Sequence, residues 1–185
     1  KPVIGLRTST HAFKFSDSDS TSGFKNYGNY YESDHEWNGG FGEYILGEKW
    51  IAHHGNHKHQ STRGIIAAGA ETHPILHGIT NGEIWGPTDV YAVRLPLKSD
   101  YQPLILGQVT NRLGEYDSLD ASYGMRSTDL EAAGIETEKD ENGNEVKINR
   151  NDPMMPVAWT KDYQIPGGKK GKVFTTTMGA ATDLL

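Results

Sequence analysis

Apolar residues occur along this chain in short runs, which polar and glycine-rich segments separate. The first run, residues 1–7, contains the β-branched pair Val3 and Ile4 and is typical of a strand buried on both faces of a parallel sheet. Further runs bounded by Gly, Pro or Asn predict strands over residues 63–68, 90–95, 103–109, 156–160 and 172–177. A central strand seldom opens a chain. We therefore expect a further N-terminal segment of the same protein before Lys1.

A long polar stretch and a short helix follow the first run. Residues 14–38 are mostly Ser, Asp, Gly, Asn and Tyr without an apolar period, which predicts a long surface loop whose tyrosines fold back over a site. Phe41, Tyr44 and Ile45 then recur at helical spacing, and Gly47 is placed to end that helix.

Residues 111–152 are polar and irregular. They contain a predicted capped helical turn that begins at Thr128 and a predicted hairpin turn at Asn142-Gly143 in an acidic setting. We interpret this stretch as an insertion at the edge of the sheet, within a single domain that spans residues 1–185.

Composition narrows the classes of partner. The formal charge of −6 and the pI near 5.7 argue against nucleic acid and anionic membranes, which both need a clustered basic surface. No apolar run approaches the roughly 20 residues that span a bilayer, so we expect a soluble protein, bacterial-type cytoplasmic or exported. The absence of cysteine excludes disulfides, thiolate metal sites and a cysteine nucleophile.

The turn after the first strand carries the first candidate residues. The guanidinium of Arg7 at the strand end could hold an anion or sugar hydroxyls, or it could pair with an acid for structural reasons. Thr8, Ser9 and Thr10 either present hydroxyl and N–H groups to a ligand or simply cap a helix. His11 follows directly and is a candidate general acid or base, because histidine titrates nearest neutrality.

A histidine-rich segment, residues 53–59, is the densest set of metal-competent side chains in the sequence. Neutral imidazoles suit zinc and similar ions, so a divalent metal such as zinc, bound by His54 and His57, is a candidate cofactor. Surface turns rich in histidine are also common without metal, and that interpretation stays open for His57 and His59. Trp159 at the end of a predicted strand could stack on a sugar with Thr160 beside it, or it could belong to the core.

Four segments in this order resemble the ThuA-like (trehalose utilisation) family of the class I glutamine amidotransferase-like superfamily. They are residues 2–13, residues 53–57, residues 73–78, and the predicted strand pair 156–160 with 171–179. The resemblance implies a flavodoxin-like α/β fold, a mainly parallel sheet flanked by helices with its site at the carboxyl ends of the strands. It also implies that His54 and Asn56 lie beside the turn at Arg7.

The resemblance further implies what the site cannot do. Amidotransferases of that superfamily carry a cysteine where this chain has Arg7, and a catalytic histidine near the position of Ala180. Without that pair glutamine cannot be attacked, so amidotransferase activity is not expected.

The implied function concerns carbohydrate metabolism, with a disaccharide or keto-sugar as ligand. The chemistry would be non-covalent acid–base catalysis by His11 with electrostatic help from Arg7, or metal-assisted catalysis. The alternative is a non-catalytic carbohydrate-binding or interaction module that kept the fold. Expected partners are a carbohydrate-like small molecule, the preceding segment of the same protein and a second copy in a homo-oligomer.

Overall fold

Strands are the main regular elements of the fold, as a computed structural model shows. The structure describes residues 1–13, 15, 24–29, 37 and 39–179. The strands of this described part are β1 (Val3–Leu6), β2 (Ala52–His53), β3 (Gln60–Ile66), β4 (Trp85–Gly86), β5 (Tyr91–Ala92), β6 (Tyr101–Asn111), β7 (Ile135–Lys139), β8 (Glu145–Asn149), β9 (Met155–Gln164) and β10 (Lys170–Thr176).

Six strands form the main sheet, in the order β1-β10-β9-β6-β3-β4. The pair β1 and β10 is parallel, and the other neighbours are antiparallel. The sheet curls into a half-barrel. Two small ribbons, β2 with β5 and β7 with β8, complete the described strands.

The predicted flavodoxin-like, glutamine amidotransferase-like fold is wrong. The structure is 35% strand and 11% helical, and no helices flank the sheet in the described part of the chain. The helical segments there are short: 3-10 turns at Arg7–His11, Lys25–Tyr27 and Pro74–Leu76, and a π-helical turn at Gly42–Leu46.

The physical reason lies in the connections. A parallel pair needs a crossover of a dozen or more residues, which is usually a helix. The segment that joins β9 to β10 instead turns within residues 165–169, and a hairpin of that length forces an antiparallel pair. The predicted strands were placed well, but the parallel pairing was inferred from the first run and from the family resemblance, and neither contains information on the connections.

Several local predictions are confirmed. Strands occur at or within every predicted run, β9 and β10 form the predicted hairpin, and a turn at Gly143 joins β7 to β8. The helix predicted from Phe41 is the π-helical turn, and Gly47 ends it with φ of +103°. The helical turn predicted at Thr128 is wrong, because only a tight turn from Arg126 to Asp129 forms there.

Two apolar clusters hold these elements together. The larger one packs β6 against β9 and β3 and includes Leu104, Val109 and Val157. The smaller one packs the π-helical turn through Leu46 against Val173 of β10. Burial of such side chains is worth roughly 1.5–3 kcal/mol each and provides the main stabilisation of the sheet.

Candidate functional site

The site is organised around a buried carboxylate, that of Asp89, which precedes β5. Its side chain is fully buried and contacts three cationic or titratable side chains. His53 Nδ1 lies 2.6 Å from Asp89 Oδ2, His57 Nδ1 lies 2.8 Å from Oδ1, and Arg7 Nη2 donates to Oδ1 at 3.2 Å. These four residues, Arg7, His53, His57 and Asp89, are called the Asp89 cluster below.

Backbone pairing positions the histidines against Asp89. The ribbon of β2 and β5 aligns His53 with Tyr91, and the N–H groups of His54 and Gly55 both donate to Val90 O. A side chain at Gly55 would place its Cβ 3.3 Å from Asp89 Cβ, so glycine allows the His53–His57 turn to lie directly on Asp89.

Arg7 joins three parts of the chain. Its guanidinium donates to Asp89 O at 3.2 Å, to Thr177 O at 3.0 Å and to the Asp89 carboxylate, and it lies 4.0 Å from the centre of the Tyr91 ring. Arg7 is buried, so these hydrogen bonds take the place of the ones that its guanidinium would make to water. Arg7 therefore neutralises and orients the carboxylate rather than facing an open cleft.

The two histidines of the cluster face solvent, with side chains 45% and 52% exposed. Since an ionised carboxylate only accepts hydrogen bonds, each Nδ1–H donates to Asp89 and each Nε2 is left as an acceptor. The rings of His53 and His57 lie 4.8 Å apart, centre to centre. One ligand atom from each histidine and one from Asp89 lie within 4.8 Å of one another. This is the donor set of many divalent-metal sites.

An aromatic wall borders the cluster. Trp50 packs edge-on against His11 and His53, and Tyr91 packs against both histidines. Burial lowers the pKa of His11 below its ordinary value of 6.5, and the nearby charge of Arg7 acts in the same direction. Burial has the opposite effect on the acidic phenol of Tyr91: it raises the pKa, so the phenol stays protonated.

Unpartnered polar atoms concentrate around this cluster. Among the described residues, the buried side-chain atoms without a hydrogen-bond partner are Ser9 Oγ, Trp50 Nε1, Thr88 Oγ1 and Thr177 Oγ1. Each belongs to a residue within two positions of the Asp89 cluster in sequence or in contact with a member of it. Buried polar groups normally find a partner, so water or a ligand is expected here.

Of the candidate residues predicted in the turn at residues 7–11, some belong to the site and others do not. His11 lies beside the cluster, and Arg7 belongs to it. Thr10 is buried, and its hydroxyl donates to Arg7 O at 2.8 Å, a hydrogen bond within the 3-10 turn that does not cap it. Thr8 is exposed. Ser9 keeps a buried hydroxyl without a partner.

The histidine segment divides between two places. His57 contacts Asp89, whereas His54 Nε2 lies 2.7 Å from Arg150 O and is directed away from the cluster. Asn56 is exposed, and its backbone N–H donates to Gln60 Oε1 at 2.7 Å. His53, which the sequence analysis did not select, occupies the place expected for His54.

The remaining predicted residues lie outside the Asp89 cluster. Trp159 is fully buried and donates to Leu46 O at 2.7 Å, so it belongs to the core. Thr160 pairs with Phe174 on the main sheet and lines a separate surface cavity. Ala180 and the loop tyrosines Tyr30 and Tyr31 lie outside the described residues.

Asp89, the central residue of this candidate site, was not among the residues predicted from the sequence. It stands in Gly-Pro-Thr-Asp-Val-Tyr, where the local pattern indicates only a turn before a strand. A usable signal was its position just before a predicted strand that could pair with the histidine segment.

No helix in the described part of the chain is long and apolar enough to cross a membrane. Comparison with protein-family models, curated proteins and solved structures finds no match to this chain.

Proposed function

We propose that this protein binds a divalent transition metal ion such as zinc through His53, His57 and Asp89. The metal would serve acid–base or hydrolytic chemistry on a small, oxygen-rich molecule. The observation that carries the proposal is the group of three ligand atoms, within 4.8 Å of one another, around a fully buried carboxylate.

The donor set suits a catalytic rather than a structural ion. Catalytic zinc sites typically use three protein ligands and leave a position for water, whereas structural sites use four. Both imidazole rings are about half exposed and can rotate toward a common centre without disturbing the core. A solvent-facing site with three ligands leaves room for a water molecule and a substrate oxygen.

Arg7 and the unpartnered atoms support the same proposal. Arg7 holds Oδ1 of Asp89 and so fixes the carboxylate, as outer-shell partners of metal ligands do. The buried hydroxyls of Thr88 and Thr177 and the indole N–H of Trp50 lack protein partners in the described part of the chain. Metal-bound water or substrate hydroxyls would satisfy such groups.

The test is metal titration of protein purified without an affinity tag. We expect one equivalent of Zn²⁺ by calorimetry, and a visible absorption band when Co²⁺ replaces it. His53→Ala and His57→Ala should each weaken binding by about 100-fold or more, because loss of even an outer-shell partner costs about 10–100-fold. His77→Ala is the matched control, since His77 is exposed and remote in sequence from the cluster.

Each outcome decides the proposal. Because His53 and His57 are half exposed, their alanine variants are expected to fold, and circular dichroism verifies this. Retained stoichiometric binding in both variants would place the metal elsewhere. Equal weakening in the His77 variant would indicate non-specific chelation, and either result overturns the assignment.

A second candidate function is metal-free acid–base catalysis. Both Nδ1 atoms are hydrogen-bonded to Asp89, the arrangement that orients a histidine for proton transfer at Nε2. Nitrogen-15 spectra of the metal-free protein should show both rings protonated at Nδ1. Protonation of both rings at Nε2 would remove this candidate, and stoichiometric metal in the native protein would favour the first.

For the ligand, we retain a carbohydrate-like small molecule as part of the proposal, for an enzyme or for a binding module. Trp50, half buried beside His53, offers an aromatic ring of the kind that packs on sugar faces. A disaccharide should raise the melting temperature of the metal-loaded protein, because a ligand of the native state stabilises it. An unchanged melting temperature with the Asp89 cluster intact would exclude this ligand class.

A further inference from the structure

A second polar cavity lies next to the π-helical turn. Its volume is about 260 Å³, and its lining includes Lys161 of β9, Tyr101 of β6 and Tyr44 of the π-helical turn. π-Helical turns often occur at functional sites, because the extra residue redirects backbone carbonyls. Here Tyr44 O accepts a hydrogen bond from Lys161 Nζ at 3.3 Å.

The amine of Lys161 lies half buried against an aromatic ring. Nζ lies 4.7 Å from the centre of the Tyr101 ring, and among the described residues its hydrogen-bond acceptor is the Tyr44 carbonyl. No carboxylate of a described residue lies within 4.0 Å of it, whereas Lys98 pairs with Glu43 and Lys172 pairs with Asp162. The Tyr101 ring stabilises the ammonium in part, but without an acidic partner a half-buried ammonium is not fully compensated for lost hydration.

The surrounding charges act on this amine in both directions. Burial lowers the pKa of Lys161 below its ordinary value of 10.5, and the positive charge of Lys98 lowers it further. The carboxylates of Asp100, Glu48 and Glu43 oppose this without reversing it. Burial keeps the neighbouring Tyr101 phenol protonated, because it raises the pKa of that group. The neutral amine is therefore more accessible at Lys161 than at an exposed lysine.

We propose that Lys161 is a carbonyl-reactive amine that forms an imine with small aldehydes or ketones in this cavity. The Nζ lone pair attacks the carbonyl carbon and gives a carbinolamine, which then loses water to form the C=N bond. The nitrogen contributes both of its protons and the carbonyl contributes the oxygen of that water, so the step needs no oxidant or reductant. The cavity, with a volume of about 260 Å³, suits a small ligand. This inference is independent of the metal site.

The test is limited reductive alkylation of the native protein with glycolaldehyde and sodium cyanoborohydride near neutral pH. Cyanoborohydride reduces the imine to a stable secondary amine, and peptide mass spectrometry locates it. We expect Lys161 to be alkylated about tenfold faster than Lys172, whose side chain is 86% exposed and paired with Asp162. The preference should vanish in concentrated urea, where both amines are equally solvated.

Two variants make the result decisive. Lys161→Arg keeps the positive charge over Tyr101 but removes the nucleophile, so labelling of the other lysines should be unchanged. Tyr101→Leu removes the ring that covers Lys161 and so exposes the amine to water, which should lower its alkylation rate toward that of Lys172. Alkylation of native Lys161 at or below the Lys172 rate would overturn the proposal, and so would a preference that persists in urea.

Discussion

Asp89 shows how one buried charge can organise several side chains. Its two oxygens accept from Arg7, His53 and His57, so little of its hydrogen-bonding capacity is left unused. Arg7 supplies a compensating positive charge for the buried carboxylate. In the metal-free protein each Nε2 is then available for proton transfer, whereas a metal ion held by His53, His57 and Asp89 would displace the hydrogen bonds between the histidines and the carboxylate.

Glu48 is also a buried carboxylate, but its arginine partner, Arg94, is partly exposed, whereas Arg7, the partner of Asp89, is buried. Glu48 is 2% exposed and accepts from Arg94 Nε at 3.3 Å. Burial raises the pKa of Glu48 above its ordinary value of 4.5, and the Arg94 charge only partly offsets this. The protonated form is thus favoured on folding, so its stabilising contribution is complete below about pH 4.5 and is lost as the pH rises through the folded-state pKa.

We therefore predict that Glu48→Gln gains stability relative to wild type as the pH rises from about 4 to 7. Glu43→Gln is the matched control with the opposite sign: burial raises the pKa of Glu43, but its hydrogen bond and charge contacts with Arg94 outweigh burial and lower it. Urea unfolding across this pH range measures both differences. Parallel pH trends in the two variants would contradict the prediction.

At the scale of elements, the sequence predicted where the strands lie but not how they pair. The apolar runs at β6, β9 and β10 and the glycine after the π-helical turn located those elements, because side-chain burial follows local sequence. The parallel sheet failed as a prediction because direction depends on connection length, which the β9–β10 hairpin decides. The π-helical hydrogen bonding of residues 42–46 had no sequence signal that we recognise.

Gly47 links the π-helical turn to the sheet and offers an element-scale prediction. Its φ is +103°, and an added Cβ would lie 2.9 Å from Trp159 Nε1 and 3.0 Å from Lys161 Cδ. Gly143 in the β7–β8 turn has φ of +82° with open space around it. Gly143→Ala should lose about 1–2 kcal/mol from backbone conformation alone.

Gly47→Ala should lose clearly more than Gly143→Ala, because the clash adds to the backbone cost and disturbs the Trp159–Leu46 hydrogen bond. Urea unfolding of both variants gives the comparison. Equal losses would show that the Trp159 contact relaxes freely.

At the scale of the whole molecule, the ribbon of β7 and β8 depends on a polar junction. Arg150 is buried, donates to Glu136 Oε2 at 2.7 Å, and also contacts Glu138 and His54 O. Gln60 of β3 donates to Glu136 at 2.6 Å. This junction joins the polar stretch predicted as an insertion to both the main sheet and the histidine segment.

Arg150→Met should loosen the ribbon before the sheet. Charge-assisted hydrogen bonds contribute about 1.5–3 kcal/mol each, so amides of residues 135–149 should exchange at least about tenfold faster. Amides of β6 and β9 should keep their protection. Arg126→Met, which removes an exposed pair with Asp120, should leave both sets unchanged. Uniform acceleration across the sheet would contradict a local role.

The site was predictable only where its residues are contiguous. The turn at Arg7–His11 and the segment 53–59 were found because their residue types are dense in the sequence. Asp89 and Tyr91 meet them through β2–β5 pairing, and the signal for that contact is the predicted strand over residues 90–95, whose pairing partner the sequence does not specify. His54 was predicted in place of His53 for the same reason: the β2–β5 pairing decides which of the two side chains faces Asp89.

The parallel contact of β1 with β10 has a consequence for how this molecule reaches its final form. Arg7 and Thr177 are hydrogen-bonded across 170 positions of chain. Closing so long a loop carries a large entropic cost, and contacts of high sequence separation slow folding. The antiparallel strands β6, β9 and β10 join through nearer contacts and provide the surface on which β1 docks. We therefore expect the Asp89 carboxylate to gain its neutralising cation late in folding, and we expect fraying of β1, a four-residue strand at the edge of the described sheet, to remove it.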